Sequence, residues 1–390
     1  MIKLIKSSFY NEKQTKEALQ KFISKADVLS FSEECLKFED AFSQYQKRKY
    51  SVFVNSGSSA NLAMIQALLN LGRLKKGDKV GFSALTWSTN VMPLIQLGLH
   101  PVPIDVELET LNVSSHQLLA TLKKHKLKAL FITNLLGFCA DLDVISSICA
   151  QNKIILLEDN CESMGSIHKG TKLGNYGLAA SFSFYVGHHM STIEGGMIVT
   201  DDKELATMMR LVRAHGWDRN LHSSDQDEIR KKYRVNSTFY SRYTFYDLGY
   251  NLRPNEIAGF LGNYQLQFID EIVEKRSKNF FQLASSLYKN TKYYPIITNH
   301  MDCVSNFAVP LICKDVAEKE RLVKLSNDLV EIRPVVGGDM THQPFFAKYD
   351  WSKKDWRNPN ATLVHQNGFY FGNNPELTQR ELGQLRQLFG

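Results

Sequence analysis

The chain lacks most of the features that would assign it to a membrane, an oxidising compartment or a metal site. No uninterrupted apolar run approaches the ~20 residues of a membrane span, and the first ten residues, Met1 to Tyr10, carry no signal-peptide apolar core. The six cysteines (Cys35, Cys139, Cys149, Cys161, Cys303, Cys313) show no C-x-x-C spacing and several lie in apolar runs, which predicts reduced thiols in a cytoplasmic protein. No His-Glu-x-x-His or similar ligand spacing occurs, so no metal is expected. Internal repeats and low-complexity tracts are missing, as are the dinucleotide fingerprint and the phosphate-loop lysine. The basic clusters at Lys47–Lys49, Lys123–Lys126 and Arg230–Lys232 are scattered and carry no nucleic-acid motif, so they read as solvated faces. A net charge of +7 suits an anionic small substrate instead.

What is present is a long alternating pattern. With 390 residues and 43% hydrophobic side chains the chain can bury a full core and form two domains, expected at 1–264 and 265–390. Two helices are expected between about Glu12 and Tyr45, the second opening near Ser30 with Ser30-x-x-Glu33 as a capping box. Short strands then alternate with helices. The strands are Tyr50–Val54, Lys79–Phe82, Val102–Val106, Leu127–Asn134 and Ile154–Asp159. Helices follow at Ser58–Leu69, Ser88–Leu97 and Ser114–Lys123, and later at Asp202–Arg213. This order predicts an α/β protein with a mostly parallel sheet. Residues His222–Arg242 are polar and irregular and predict a loop. From Gln265 a long charged helix, strand-like segments such as Phe307–Ile312 and a helix near Thr378 predict a smaller α+β domain.

Ligands of parallel sheets collect at the carboxyl ends of the strands. After the first strand come Asn55–Asn61, small residues opening a helix, whose free N–H groups suit a phosphate. After the second comes Trp87, which is either core or a stacking platform for a flat heterocycle. The apolar run Ile154–Leu157 ends in Glu158 and Asp159, and a carboxylate there needs a partner, such as a protonated pyridine nitrogen. The stretch Ser181–Gly196 follows, and no lysine occurs between Lys172 and Lys203.

Five segments in this order resemble the DegT/DnrJ/EryC1/StrS family of nucleotide-sugar enzymes: Asn55–Ala60, Thr86–Thr89, Glu158–Ser163, Ser181–Gly196 and Gly249–Pro254. The resemblance implies the aspartate aminotransferase type I fold and pyridoxal phosphate (PLP) or its amine, pyridoxamine phosphate (PMP). It implies that Gly57, Ser58 and Ser183 hold the phosphate, that Trp87 stacks on the ring, that Asp159 pairs with its nitrogen and that Glu162 lies near its hydroxyl. Asn251 is implied to reach the phosphate from a second subunit, hence a homodimer with shared sites. His215, Arg219 and Arg333 are candidate substrate contacts.

The family carries a lysine where this chain has His188, followed by His189 and Glu194-Gly195-Gly196. That pattern resembles the family's small branch of sugar 3-dehydratases. A histidine moves protons but cannot tether the cofactor. The resemblance therefore implies non-covalent PMP, His188 as base, a nucleotide-linked 4-keto-6-deoxyhexose losing its C3 hydroxyl, and L-glutamate restoring the amine, in deoxysugar synthesis for surface polysaccharide. With only Cys303 and Cys313 late in the chain, a four-cysteine iron–sulfur cluster there is not supported. The competing readings are an aminotransferase using another lysine and a non-catalytic relative.

Overall fold

The structure, a computed structural model, describes residues 1–349 and 355–390. Its main sheet has seven strands in the order Tyr50–Val54, Gly196–Thr200, Ala179–Ser183, Ile155–Asp159, Ala129–Thr133, Lys79–Ser83, His100–Ile104. Gly196–Thr200 runs against its two neighbours, and the other pairings are parallel. The central strands are buried throughout, as Ala129–Thr133 is, because helices cover both faces. Register then aligns Thr133, Asp159 and Ser181 across three adjacent strand ends. One row of polar side chains thus sits at the carboxyl edge of an otherwise apolar sheet.

A second sheet of four antiparallel strands orders Tyr293–Tyr294, Ala308–Cys313, Gly368–Gly372 and Ile332–Pro334. The helix Ile269–Leu287 leads into it, and Gln379–Phe389 closes the chain with a capping box between Thr378 and Glu381. The expected boundary at 264/265 falls inside the helix Glu256–Leu266, and the chain turns only after it, at Gln267–Phe268. Residues near the start of the chain cross to the second sheet's side: Ile2 bridges Val330, and Lys6 pairs with Glu381 at 2.7 Å. All six cysteines are free thiols. Among the described residues no helix is long and apolar enough to cross a membrane.

Three expectations need correction. The helix after Trp87 is split into a 3-10 turn, Ser88–Asn90, and a helix, Met92–Gln96. Pro93 is the cause, since its ring would strike the carbonyl four residues back in a continuous helix and is accommodated only in a first turn. Residues 222–242 are not an irregular loop, because Ser223–Lys232 is helical. That helix is polar except for Ile229 and so has no apolar stripe to reveal it. It is anchored instead by Lys203–Asp225 at 3.0 Å and Arg230–Asp218 at 2.6 Å.

The third concerns the capping box at Ser30, which does not form: the helix begins at Glu33 and Ser32 makes no side-chain cap. Its first N–H groups donate to the buried carboxylate of Glu256, from Ser32 and Glu34 at 2.8 Å and Cys35 at 3.1 Å. A charge supplied from another helix satisfies donors that a local serine would have capped singly. Glu256→Ala therefore leaves three donors unpaired, that of Cys35 buried and those of Ser32 and Glu34 half-buried, and is expected to lower stability by about 2 kcal/mol. A fall in the urea midpoint with unchanged slope checks this.

Candidate functional site

The site begins where a helix start is pressed against strand ends. Ser56 caps Gly57–Asn70 by accepting from Ser59 N at 3.0 Å, and the N–H groups of Gly57 and Ser58 have no acceptor within the helix. A Cβ on Gly57 would lie 2.7 Å from Ser183 Cβ and 3.0 Å from Cys161 Sγ. Glycine is thus required for the turn to close on Ser183. The result is a cradle of N–H groups and hydroxyls with positive helix-end polarity, suited to a phosphate.

Asp159 is 4% exposed, yet among the described residues no Lys or Arg forms an ion pair with it. Its Oδ2 accepts from Asn61 Nδ2 at 2.8 Å and Asn90 Nδ2 at 2.7 Å, and its Oδ1 accepts from Cys161 N at 2.9 Å. Ser181 orients Asn61 by donating to its Oδ1 at 2.6 Å, and Thr86 donates to Asn90 Oδ1 at 3.0 Å. A carboxyl group fixed by neutral amides rather than by a cation suits a cationic ligand group. Glu162, also in the wall, accepts from Leu136 N at 2.9 Å. Loss of solvent around it pushes its carboxyl up to about 8, with the charge of Asp159 adding.

Between Ser183 and Gly196 the chain loops out and carries His188 into the same cleft of ≈ 390 Å³. The imidazole meets Phe307 edge-on at 5.3 Å and Tyr185 at 6.0 Å between ring centres. Its Nδ1 is buried without a partner, and burial draws the ring down to about 4, Asp159 opposing and Arg276 adding. His189 turns the other way, to Ser305 O at 2.9 Å. Trp87 is 54% exposed although large and apolar, and it too faces the cleft.

Gly57, Ser58, Trp87, Asp159, Glu162, Ser183 and His188 are therefore brought together, whereas Asn251, His215, Arg219 and Arg333 lie outside this chain's cleft. Arg219 stacks over Trp217 at 4.5 Å and Tyr243 at 4.7 Å, and His215 packs edge-on to Trp217 at 5.1 Å. Asn251 is exposed and accepts from Arg253 Nε at 3.0 Å. Arg333 is exposed and pairs with Glu331.

The sequence reading missed Asn61, Asn90 and Arg276. Asn61 had one signal, a poor helix former inside a helix. The reading also missed the segment from Leu4 to Tyr10, which walls the cleft. Cys139, His168 and His300 come within 4.8 Å of one another. His168 already engages His300 O and Asp143 Oδ1, each at 3.0 Å, and His300 Nε2 engages Cys139 O at 2.8 Å.

The DegT/DnrJ/EryC1/StrS aminotransferase family model matches residues 10–386. The chain belongs to that family. A relative from Yersinia pseudotuberculosis, GDP-4-keto-6-deoxy-D-mannose 3-dehydratase, is 35% identical over 98% of this chain and 96% of its own. A crystal structure of GDP-4-keto-6-deoxymannose 3-dehydratase with a trapped PLP–glutamate geminal diamine superimposes with TM-score 0.89 at 32% identity, covering 100% of both chains. A histidine-to-asparagine variant of that enzyme with bound GDP-perosamine gives TM-score 0.88 at 32% identity, again over 100% of both. The fold is that of the PLP-dependent aminotransferases, and the cofactor of this family member is PLP or PMP.

The residues present fit that group: a glycine cradle for the phosphate, a buried carboxylate for the ring nitrogen and an exposed indole for the ring face. Gly57→Ala should close the cradle. Absorbance titration with added PLP is expected to show affinity at least about tenfold weaker, roughly 1.4 kcal/mol, with the fold intact by circular dichroism.

Proposed function

We propose that this chain is a PMP-dependent dehydratase that removes the C3 hydroxyl of a nucleotide-linked 4-keto-6-deoxyhexose, GDP-4-keto-6-deoxy-D-mannose, in the cytoplasm. L-Glutamate restores the cofactor amine. The observation that carries this reading is His188: among the described residues no lysine lines the cleft, and the family's lysine position holds an imidazole instead. Bound there, PMP supplies an amine for the sugar ketone and a conjugated ring that takes up electrons as the hydroxyl leaves.

The chain's own residues have separable tasks. Gly57, Ser58 and Ser183 bind the phosphate, and Trp87 covers the ring face. Asp159 holds a proton on the ring nitrogen, and Glu162 faces the ring hydroxyl. His188 removes and returns the proton at the cofactor's methylene carbon. A second copy of the chain completes the site with Asn251, while His215, Arg219 and Arg333 contact the nucleotide sugar. The exposed position of Asn251 supports its use by a partner.

A base works only unprotonated. With the imidazole drawn down to about 4 by burial, the dehydration rate should hold on acidification past ~6.5, the ordinary histidine value, and fall only toward pH 4. Release of 2-oxoglutarate from glutamate, PMP and the GDP-sugar measures turnover. Borohydride treatment of the PLP-loaded protein should fix no cofactor to the chain, whereas His188→Lys should. Covalent fixation in the native protein would instead support an aminotransferase using another lysine.

A further inference from the structure

We infer that Arg276 is the positioning residue that anchors His188 at the cofactor cleft and sets a positive charge beside its imidazole. The inference rests on the reading of His188 as the base.

Arg276 projects from the helix Ile269–Leu287 and is 4% exposed, yet no carboxylate lies within ion-pairing distance of it among the described residues. A buried guanidinium without a counter-charge is costly and calls for a use. Its hydrogen bonds go to backbone carbonyls of three separate segments: Asn373 O at 2.7 Å, Phe307 O at 3.0 Å and His188 O at 3.1 Å. All three of those residues line the cleft. A planar fork of five donors can gather such a set, which an ammonium cannot do in the same geometry.

The clamp is itself braced. Asn373 Nδ2 donates back to Arg276 O at 2.8 Å and to Asn306 O at 3.1 Å, and Asn306 donates to Leu136 O at 2.8 Å. Leu136 N in turn donates to Glu162. The backbone behind both titratable groups of the site is one network. Among the described residues nothing holds the imidazole through its buried Nδ1; the ring lies against Phe307 and Tyr185, with the backbone of Cys161 and Ser183 beside it, and its own carbonyl is anchored by Arg276.

The charged and titratable groups around His188 include Asp159, Cys161, Glu162, Tyr185, His189 and Arg276. Asp159 favours the imidazolium, and Arg276 opposes it with a charge that no acid neutralises. His189 is also held uncharged, first by burial and then by the same arginine.

The test uses the PMP-loaded enzyme with Arg276→Lys, which keeps the charge and loses the fork, and Arg276→Met, which loses both. Turnover with the GDP-sugar is expected to fall at least about tenfold in each. The acid limb of the rate profile should stay in place for Arg276→Lys and rise for Arg276→Met. Should Arg276→Met not fold, the His188 ring titration in 15N-histidine-labelled native protein and Arg276→Lys replaces it, assigned with His188→Gln. The lysine variant should then show the native midpoint with a broadened or shifted ring signal. Unchanged turnover in both variants, or lost turnover with an unmoved limb in Arg276→Met, would overturn the inference. If the native enzyme does not dehydrate the sugar, the functional reading fails by itself, and the ring titration still decides the role of Arg276.

Discussion

The close approach of the Ser56–Gly57 turn to the paired strands at Ser183 and Gly196 is the constraint from which the site follows. Register pairs Val54 with Gly196 and Gly196 with Ser183, so three strand ends meet at one point. A Cβ on Gly196 would lie 2.3 Å from Ser56 O, and one on Gly57 would lie 2.7 Å from Ser183 Cβ. Neither contact is possible with a side chain, so both positions are glycine for reasons of space rather than backbone angle. The same junction makes the phosphate cradle and fixes the two feet of the loop that carries His188. Geometry of binding and geometry of proton transfer are therefore set by one packing contact.

Around that junction the charges are separated by environment. Asp159 has its lone pairs met by two side-chain amides and a backbone N–H. Glu162, with one N–H and little solvent, is pushed up to about 8, while His188 is drawn down to about 4. The two shifts favour a protonated carboxyl and an unprotonated imidazole. A carboxylic acid and a neutral imidazole on one cleft are a donor and an acceptor, and for the carboxyl this is the reverse of its usual state in water. The buried charge of Arg276 favours this arrangement at His188.

The strands and the residues at their ends were legible because burial and pattern agree there: apolar runs finishing in Gly57, Trp87, Asp159 and Ser183 stand out against their surroundings. His188 was legible as a departure from a family pattern, which periodicity alone does not see. Asn61, Asn90 and Arg276 were hidden because their importance lies in partners 98, 69 and 88 residues away. In Val273–Asn279 an arginine beside Glu274, Lys275 and Lys278 looks like any solvated helix face. The helix Ser223–Lys232 was hidden for the opposite reason, having no apolar face, and the capping of Glu33–Gln46 by Glu256, as from Glu34 N, spans more than two hundred residues.

Replacing a lysine by His188 also changes what the cleft walls must do. A cofactor bonded to the chain remains in place even when single contacts are weak, but one without that bond is retained only by the sum of its contacts and by exclusion of water. The cleft is accordingly closed from a side the main sheet does not reach. The segment Leu4–Tyr10 lies along it, with Leu4 N held by Glu331 at 3.0 Å and Ser7 by Glu376 at 2.8 Å. Ile5 reaches to within 3.4 Å of where a Cβ on Gly187 would stand, so the strap packs directly on the loop bearing His188. Residues from the two ends of the chain thus enclose a group that no covalent bond retains, and the glycine beside His188 leaves room for them to do so.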